Sequence, residues 1–405
     1  MKEYNLGIIG AGASGFAAAI QANRLHSGMK IALFEHLPRA GKKILATGNG
    51  RCNLTNLNAL SHDYRNKEFA FAALNKYSPE KVIEFFSSLG LMTFSDTEGR
   101  VYPRSNAAAS VLDALRFGVD IQKTDLITET EISRIEKQSE CFVINQEYKC
   151  RKIILAGGGK SSPSQGSDGS VLKLAKALGH KLTPAVPALV PLNSEPDKVK
   201  PLKGLRASGV ELTLEGEYSE YKSSGEILFT DTGVSGIAAM ELASSAEREL
   251  RNAFDPVLHI DFLPEIDNLS GILEDIINAK EGQPLENLLT GILPKQIGLE
   301  ILKRAEIFEG NAIIFSDKFS DNMIELLASV IHDFALRITG TRGFANAQVT
   351  SGGVNINEIN PLTMQSKLIP GLYFSGEIID VDGGCGGFNL HWAFASGLLA
   401  GELND

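Results

Sequence analysis

Six residues near the amino terminus restrict this chain more than any others. Tyr4 to Ile9 is a short apolar run of strand character; Gly10-Ala11-Gly12-Ala13-Ser14-Gly15 follows at once, and the small-residue stretch FAAAIQANRL then reads as a helix. In this order, strand, G-x-G-x-x-G, helix, the first glycine permits a tight turn. The second lets the backbone approach a pyrophosphate, and the third lets helix and strand pack closely. The new helix turns its unpaired N–H groups and positive dipole end toward the phosphates. A second strand, Lys30 to Phe34, ends in Glu35, twenty positions after Gly15. An acid at that spacing meets a ribose 2′-hydroxyl and repels a 2′-phosphate. The expected dinucleotide site therefore has Gly10, Gly12, Ala13, Ser14 and Gly15 at the pyrophosphate and Glu35 at the ribose.

Two further stretches belong with it. His36 to Asn56 is rich in glycine, amide and cation, with Lys42, Lys43, Gly48 and Asn53 among them, and reads as a second wall of the same site. The strand Arg151–Leu155 runs into Gly157-Gly158-Gly159, a backbone that must pass close to something, here the cofactor. It is not a second fingerprint, because Ser162 stands where the third glycine belongs; that argues against a separate Rossmann site for a nicotinamide nucleotide. At the far end, a strand from Gly371 leads to Gly376, Glu377 and Asp380. Gly387-Phe388-Asn389 then opens a last helix. Asp380 suits hydrogen bonding to a sugar-alcohol chain. The helix start suits the electron-rich edge of a flavin, which gains negative charge on reduction.

Between these ends the periodicity changes several times. Residues 67–118 read as helices, with Ser78-Pro79 as a helix start and Gly99–Arg104 as a turn between them. Ile127–Ile135, Cys141–Ile144 and Arg151–Leu155 read as strands. Pro184, Pro187 and Pro191 mark a hinge-like link. Val210, Leu212 and Leu214, Ile227 and Phe229, and Leu258, Ile260 and Phe262 alternate as in an antiparallel sheet or barrel. Stripes at Leu269–Ile276, Leu285–Leu293 and Met323–Val330 read as helices.

The expected fold is α/β: a Rossmann-like cofactor domain built from both chain ends (1–188 and 346–405). It carries an inserted β-barrel-like domain (189–262, returning at 336–345) and a helical subdomain (263–335). With 43% hydrophobic and 22% charged residues the composition is that of a globular protein, and a net charge of −10 argues against broad nucleic-acid or anionic-membrane binding. Four cysteines without C-x-x-C spacing fit reduced thiols and a cytoplasmic setting; no metal site is expected. No run of eighteen apolar residues suggests a membrane span.

Together GAGASG, GKKILATGNGRCNLTN, GRVYP, ILFTDTGVSG, VTSGGV and GLYFSGEIIDVDGGCGGFNLHWAFASG resemble a bacterial family of NAD(P)/FAD-dependent oxidoreductases. That family includes aminoacetone oxidase and a bile-acid 3-dehydro-Δ4,6-reductase. The resemblance implies FAD as resident cofactor, with NAD(P)H as a possible transient reductant and a small organic molecule as substrate. It also implies adenine contact through the backbone of Ile132, pyrophosphate and flavin contacts at Lys42, Lys43, Gly48 and Asn53, ribityl contact at Asp380, and an isoalloxazine edge at Gly387, Phe388 and Asn389. Many relatives in the wider superfamily carry Gly-Asp where this chain has Gly376-Glu377, so two acids compete for the ribityl role. No catalytic acid or base stands out; His391 reads as structural, and Cys52 and Cys385 as packing rather than a redox dithiol. Two alternatives remain open, a flavin-holding sensor without turnover and an RNA-modifying flavoenzyme. The substrate and the oligomeric state are not legible.

Overall fold

A computed structural model describes residues 1–60, 62, 64–307 and 312–404. The chain forms two compact units, Met1–Pro187 together with Ala347–Asp405, and Ala188–Asn346. In chain order the first unit begins with β1 (Lys2–Ile9), α1 (Ala13–Leu25), β2 (Ile31–Phe34), α2 (Lys42–Ala46) and β3 (Thr55–Asn56). It continues with α3 (Lys67–Lys76), α4 (Pro79–Ser88), β4 (Thr93–Ser95), β5 (Arg100–Pro103) and α5 (Ala108–Ile121). Then come β6 (Asp125–Ile127), β7 (Ile135–Gln138), β8 (Cys141–Ile144), β9 (Tyr148–Leu155), α6 (Ser170–Ala177) and β10 (Leu182–Ala188).

The second unit holds β11 (Leu192–Ser194), α7 (Pro196–Val199), β12 (Arg206–Glu215), β13 (Glu220–Phe229), β14 (Gly233–Ser235), α8 (Ile237–Glu241), α9 (Ala243–Arg251) and β15 (Val257–Asp261). Helices α10 (Leu269–Ala279), α11 (Lys295–Arg304) and α12 (Asp321–His332) precede β16 (Phe334–Thr341). The chain then re-enters the first unit through β17 (Val349–Val354), β18 (Leu372–Phe374) and α13 (Phe388–Gly401).

The first unit is a Rossmann-type domain. Its main sheet runs β6-β2-β1-β9-β8-β7, and β18 pairs with the carboxyl half of β9. The β6, β2, β1, β9 and β18 pairings are parallel; β7, β8 and β9 form an antiparallel flank. Strand β1 is buried at Leu6, Ile8 and Ile9, and all of β2 is buried, as a parallel strand covered on both faces requires. The last helix packs on the first. A Cβ added at Gly397 would meet the Ser14 backbone, and one at Gly401 would lie 2.6 Å from the Ala18 oxygen. The second unit closes β11-β14-β13-β12-β15-β16 into an antiparallel barrel. Its interior takes Val210, Leu212, Leu214, Ile227, Phe229, Leu258, Ile260, Phe334, Leu336 and Ile338, all buried.

Four expectations change. Gly99–Arg104 is not a turn: Arg100–Pro103 is β5, the middle strand of a small β3-β5-β4 sheet. Ile127–Ile135 is not one strand. β6 stops at Ile127 because the chain bends back, Thr130 N–H donating to the Glu35 carbonyl, and β7 starts at Ile135. Leu285–Leu293 forms only a 3-10 turn at Leu285–Asn287, since Pro284, Gly291 (φ 104°) and Pro294 leave no room for a helix. The proline-marked link is partly strand, because β10 pairs with β17 in a two-stranded ladder that tolerates proline. No described helix is long and apolar enough to cross a membrane.

Candidate functional site

The glycine loop joins the carboxyl end of β1 to α1. Gly10 has φ 108°, and a Cβ there would collide with the Ala156 oxygen and Gly157 Cα, each 2.6 Å away. Gly157 thus serves the close approach of β9 to the loop. Gly15 meets the Gly10 carbonyl in the same manner. Gly12, the cap of α1, differs: it is extended (φ −94°) and a Cβ there would meet nothing within 4 Å. The loop is closed toward the sheet by its first and third glycines and open at its second. No acidic residue stands in the first turn of α1 to neutralise the dipole. Ser14 Oγ reaches back to the Ser375 carbonyl at 3.4 Å, tying the loop to the strand end before Gly376.

Glu35, 9% exposed, is held at the end of β2. Its Oε2 accepts from Ala11 N–H at 3.3 Å and its Oε1 from Leu37 N–H at 2.9 Å, which leaves acceptor capacity for a further hydroxyl. Ile132 is buried in the adjoining core, just past the Thr130 link to the Glu35 carbonyl. The two lysines diverge. Lys42 Nζ donates to the Ser164 carbonyl at 2.8 Å, whereas Lys43 pairs with Glu377 at 2.9 Å. Glu377 Oε1 also accepts from Thr350 N–H at 3.0 Å. Glu377 thus borders Gly159, whose Cβ position is 2.9 Å from Glu377 Oε1, and follows Gly376, whose Cβ position is 2.6 Å from Ser14 Oγ. Asp380 is 4% exposed and ion-paired with Arg65 at 2.9 Å.

A second locus is the start of α13. Its cap, Gly387 (φ 98°), lies so close to Asn53 that a Cβ would sit 2.6 Å from Asn53 Oδ1. That oxygen is buried and has no hydrogen-bond partner among the described residues. Gly48 backs onto the same residue, its Cβ position 2.9 Å from the Asn53 nitrogen. Phe388 stacks flat on His62, centroids 3.7 Å apart and planes at 5°. His62 Nε2 accepts from Gly384 N–H at 2.9 Å, and Tyr64 donates to the Phe388 carbonyl. The Asn389 side chain closes its own 383–389 loop, accepting from Gly383 N–H and donating to the Gly383 and Gly384 carbonyls. His391, fully buried, pairs its Nδ1 with Thr55 Oγ1 at 2.8 Å, and burial pushes its pKa down to about 4. Burial likewise pushes the Cys52 thiol up to about 12, so it stays protonated at neutral pH.

The structure thus gathers Gly10, Gly12, Ser14, Gly15, Glu35 and Gly157 around the carboxyl ends of β1 and β2, and Gly48, Asn53, Gly387 and Phe388 around the start of α13. Sequence reasoning weighed Glu377 against Asp380 but did not single out His62, Thr55 and Arg65 as neighbours of these loci. Glu377 had a signal, its place directly after Gly376, and Thr55 falls within the glycine- and amide-rich 36–56 stretch; His62 and Arg65 sit beyond it without a motif.

The family model described as the HI0933-like protein Rossmann domain matches residues 4–403. The chain belongs to the HI0933-like Rossmann family. It is 37% identical over 404 residues, 98% of each chain, to a 3-dehydro-bile acid delta(4,6)-reductase of Clostridium scindens. It is 30% identical to a ribosomal RNA dihydrouridine synthase of Haemophilus influenzae, covering 98% of this chain and 97% of that one. Among solved structures, a 3-ketosteroid delta1-dehydrogenase from Sterolibacterium denitrificans shares the fold over 99% of both chains, at 14% identity and a TM-score of 0.50.

Proposed function

We propose that this HI0933-like protein is an FAD-dependent reductase that saturates a carbon–carbon double bond conjugated to a carbonyl in a small organic molecule. The observation that carries the cofactor reading is the glycine loop, closed on its sheet side yet open at Gly12, on the axis of an uncompensated helix N-terminus. Glu35 suits the adenosine ribose, with Ile132 close by at the adenine end. Ala13 and Ser14 present the first N–H groups of α1 to the pyrophosphate. Glu377, rather than Asp380, is the acid we assign to the ribityl chain, because Asp380 already serves Arg65. Lys43 steers Glu377, and Lys42 braces the 163–166 turn. Asn53, with an unpartnered buried carbonyl, fits a hydrogen-bond donor of the flavin ring, and the first N–H groups of α13 at Gly387, Phe388 and Asn389 fit its carbonyl edge.

FAD, when bound, would supply the two-electron chemistry. The relatives' names support its direction, since a delta(4,6)-reductase and a dihydrouridine synthase both add hydrogen across a double bond activated by a carbonyl. The chain's own part is to bind, to orient and to keep charge where reduction needs it. His391 enters the first turn of α13 as a neutral imidazole, leaving the helix dipole as the positive element there. NAD(P)H as transient reductant belongs to this proposal.

An RNA substrate is the second reading, favoured by the full-length likeness to the synthases. Charge speaks against it: residues 188–346 hold 26 acidic and 14 basic side chains, which would repel a phosphate backbone. The deciding experiment is anaerobic. The yellow holoprotein is bleached with NADPH or NADH, then mixed with a 3-oxo-4,6-diene steroid acid, with an rRNA fragment, or with buffer. Return of absorbance with the dienone alone supports the proposal. Return with the RNA alone, or protein that stays colourless after reconstitution with FAD, overturns it.

A further inference from the structure

The small β3-β5-β4 sheet carries an aromatic face that the cofactor reading does not use. Phe94 on β4 and Tyr102 on β5 are cross-strand partners on the same face, centroids 5.9 Å apart and planes at 31°. The Arg51 guanidinium lies over Tyr102 at 4.5 Å, and that of Arg104 over Phe94 at 5.7 Å. Stacking fixes both groups while leaving their N–H edges outward, and both residues are exposed. Neither has a carboxylate partner among the described residues, whereas Arg100 on the same strand is neutralised by Asp96 and Glu98. Two positioned, uncompensated guanidinium groups held against the aromatic face of this small sheet make an anion-binding surface.

Its location ties it to the α13 end of the site. Tyr102 Cε1 lies 3.6 Å from the Cβ position of Gly48, which backs onto Asn53, which in turn meets the α13 cap at Gly387. Arg51 itself donates to the Gly48 carbonyl at 3.4 Å. The cofactor's own pyrophosphate belongs, by the proposal above, at the opposite locus beside α1. These arginines are left for something else that approaches the ring end.

We propose that Arg51, with Arg104 beside it, grips an acidic group, carboxylate or phosphate, carried by a small organic substrate. This rests on the flavin reading, which orients the site, and deepens it by naming the substrate as an anion. Arg51 and Arg104 act in recognition, not in the reaction.

The test measures binding of a 3-oxo-cholanoic acid and of its methyl ester to the oxidised holoenzyme by calorimetry, at low and high salt. Inorganic phosphate serves as competitor. The acid is expected to bind about 10-fold tighter than the ester, a margin that shrinks with salt. Phosphate should compete with the acid only. In Arg51→Gln the acid falls to the ester's affinity while the ester is unchanged; Arg51→Lys recovers part of the margin, and Arg104→Gln loses a smaller share. Equal binding of acid and ester to the unaltered protein, no binding of either, or a margin that survives both glutamine variants overturns the proposal. So does an rRNA fragment whose salt-sensitive binding needs Arg51 while acid and ester stay indistinguishable. Failure of the reductase reading looks different: the dienone leaves reduced flavin bleached, yet the acid still outbinds its ester.

Discussion

Gly12 and Gly15 occupy the same six-residue loop, yet they should fail in different ways. A methyl group at Gly12 meets no protein atom, and its extended backbone suits alanine. Gly12→Ala should keep its denaturation midpoint, within about 0.5 kcal/mol, and lose bound flavin. Gly15→Ala drives Cβ into the Gly10 carbonyl and should cost about 3 kcal/mol, visible in denaturant titration even without cofactor. If Gly12→Ala retained full flavin content, the loop would not be the pyrophosphate cradle. Chemistry at Cys52 runs the other way. Its thiol, pushed up to about 12, offers no thiolate at neutral pH, so Cys52→Ser and Cys385→Ser should leave the flavin reducible and turnover intact. Loss of turnover with FAD retained in either variant would restore the dithiol idea. At this scale the sequence is informative where backbone spacing alone dictates the residue, as in the glycines and Glu35. It is silent where a partner lies far along the chain. Lys43 finds Glu377 across 334 positions, and no local pattern announces that.

Elements were legible when their periodicity was long and uninterrupted, as in α1, α10, α12 and the barrel strands. Short elements held by tertiary partners were not. β5 reads as a proline turn until β3 and β4 flank it, and the 285–293 stripe has helical spacing but proline and glycine at its borders. The junction of β3 and α13 also makes a pH prediction. His391 is fully buried against Thr55, and its pKa falls from an ordinary 6.5 to about 4. Between those values the unfolded chain takes up a proton that the folded chain refuses. Stability from this group is therefore complete above pH 6.5 and is lost as pH falls toward 4, by about 3 kcal/mol in all. His391→Gln should flatten that part of the stability–pH curve. Equal slopes for both proteins between pH 6.5 and 4 would mean that His391 titrates normally. Two acids near β18 separate by the same logic of partners: Glu377→Gln should weaken FAD binding directly. Asp380→Asn should instead cost stability, because it removes the carboxylate that pairs directly with a half-buried Arg65 and leaves only the more distant Asp382. Flavin affinity measured alongside thermal melting tells the two apart.

The chain is one Rossmann-type unit interrupted by a second unit, and charge follows that division. Residues 188–346 carry 26 acidic and 14 basic side chains, leaving 23 acidic and 25 basic for the two flanking segments together. Among the described residues, the flanking segments share one core, whose buried members run from Tyr4 to Ala175 and resume at Val354, ending at Leu403. Strands β10 and β17 pair where the chain leaves and returns, with the Gly352 Cβ position 2.6 Å from the Pro184 oxygen. A core that closes on itself, with its two chain crossings already paired, should fold without the insertion. Replacing residues 188–346 by a short Gly-Ser linker should therefore give a soluble protein that binds one FAD and is bleached by dithionite. Air should reoxidise it, and its rate with the dienone, set against that of the full chain, reports what the insertion adds. The contrast is diagnostic because loop-closure entropy changes only slowly with linker length, so a stability loss of more than about 1–2 kcal/mol would not come from the linker. An insoluble or colourless product would show that the insertion completes the cofactor unit. Dienone turnover at the full-chain rate would show that substrate is chosen within the flanking segments, where Arg51 and Arg104 already stand.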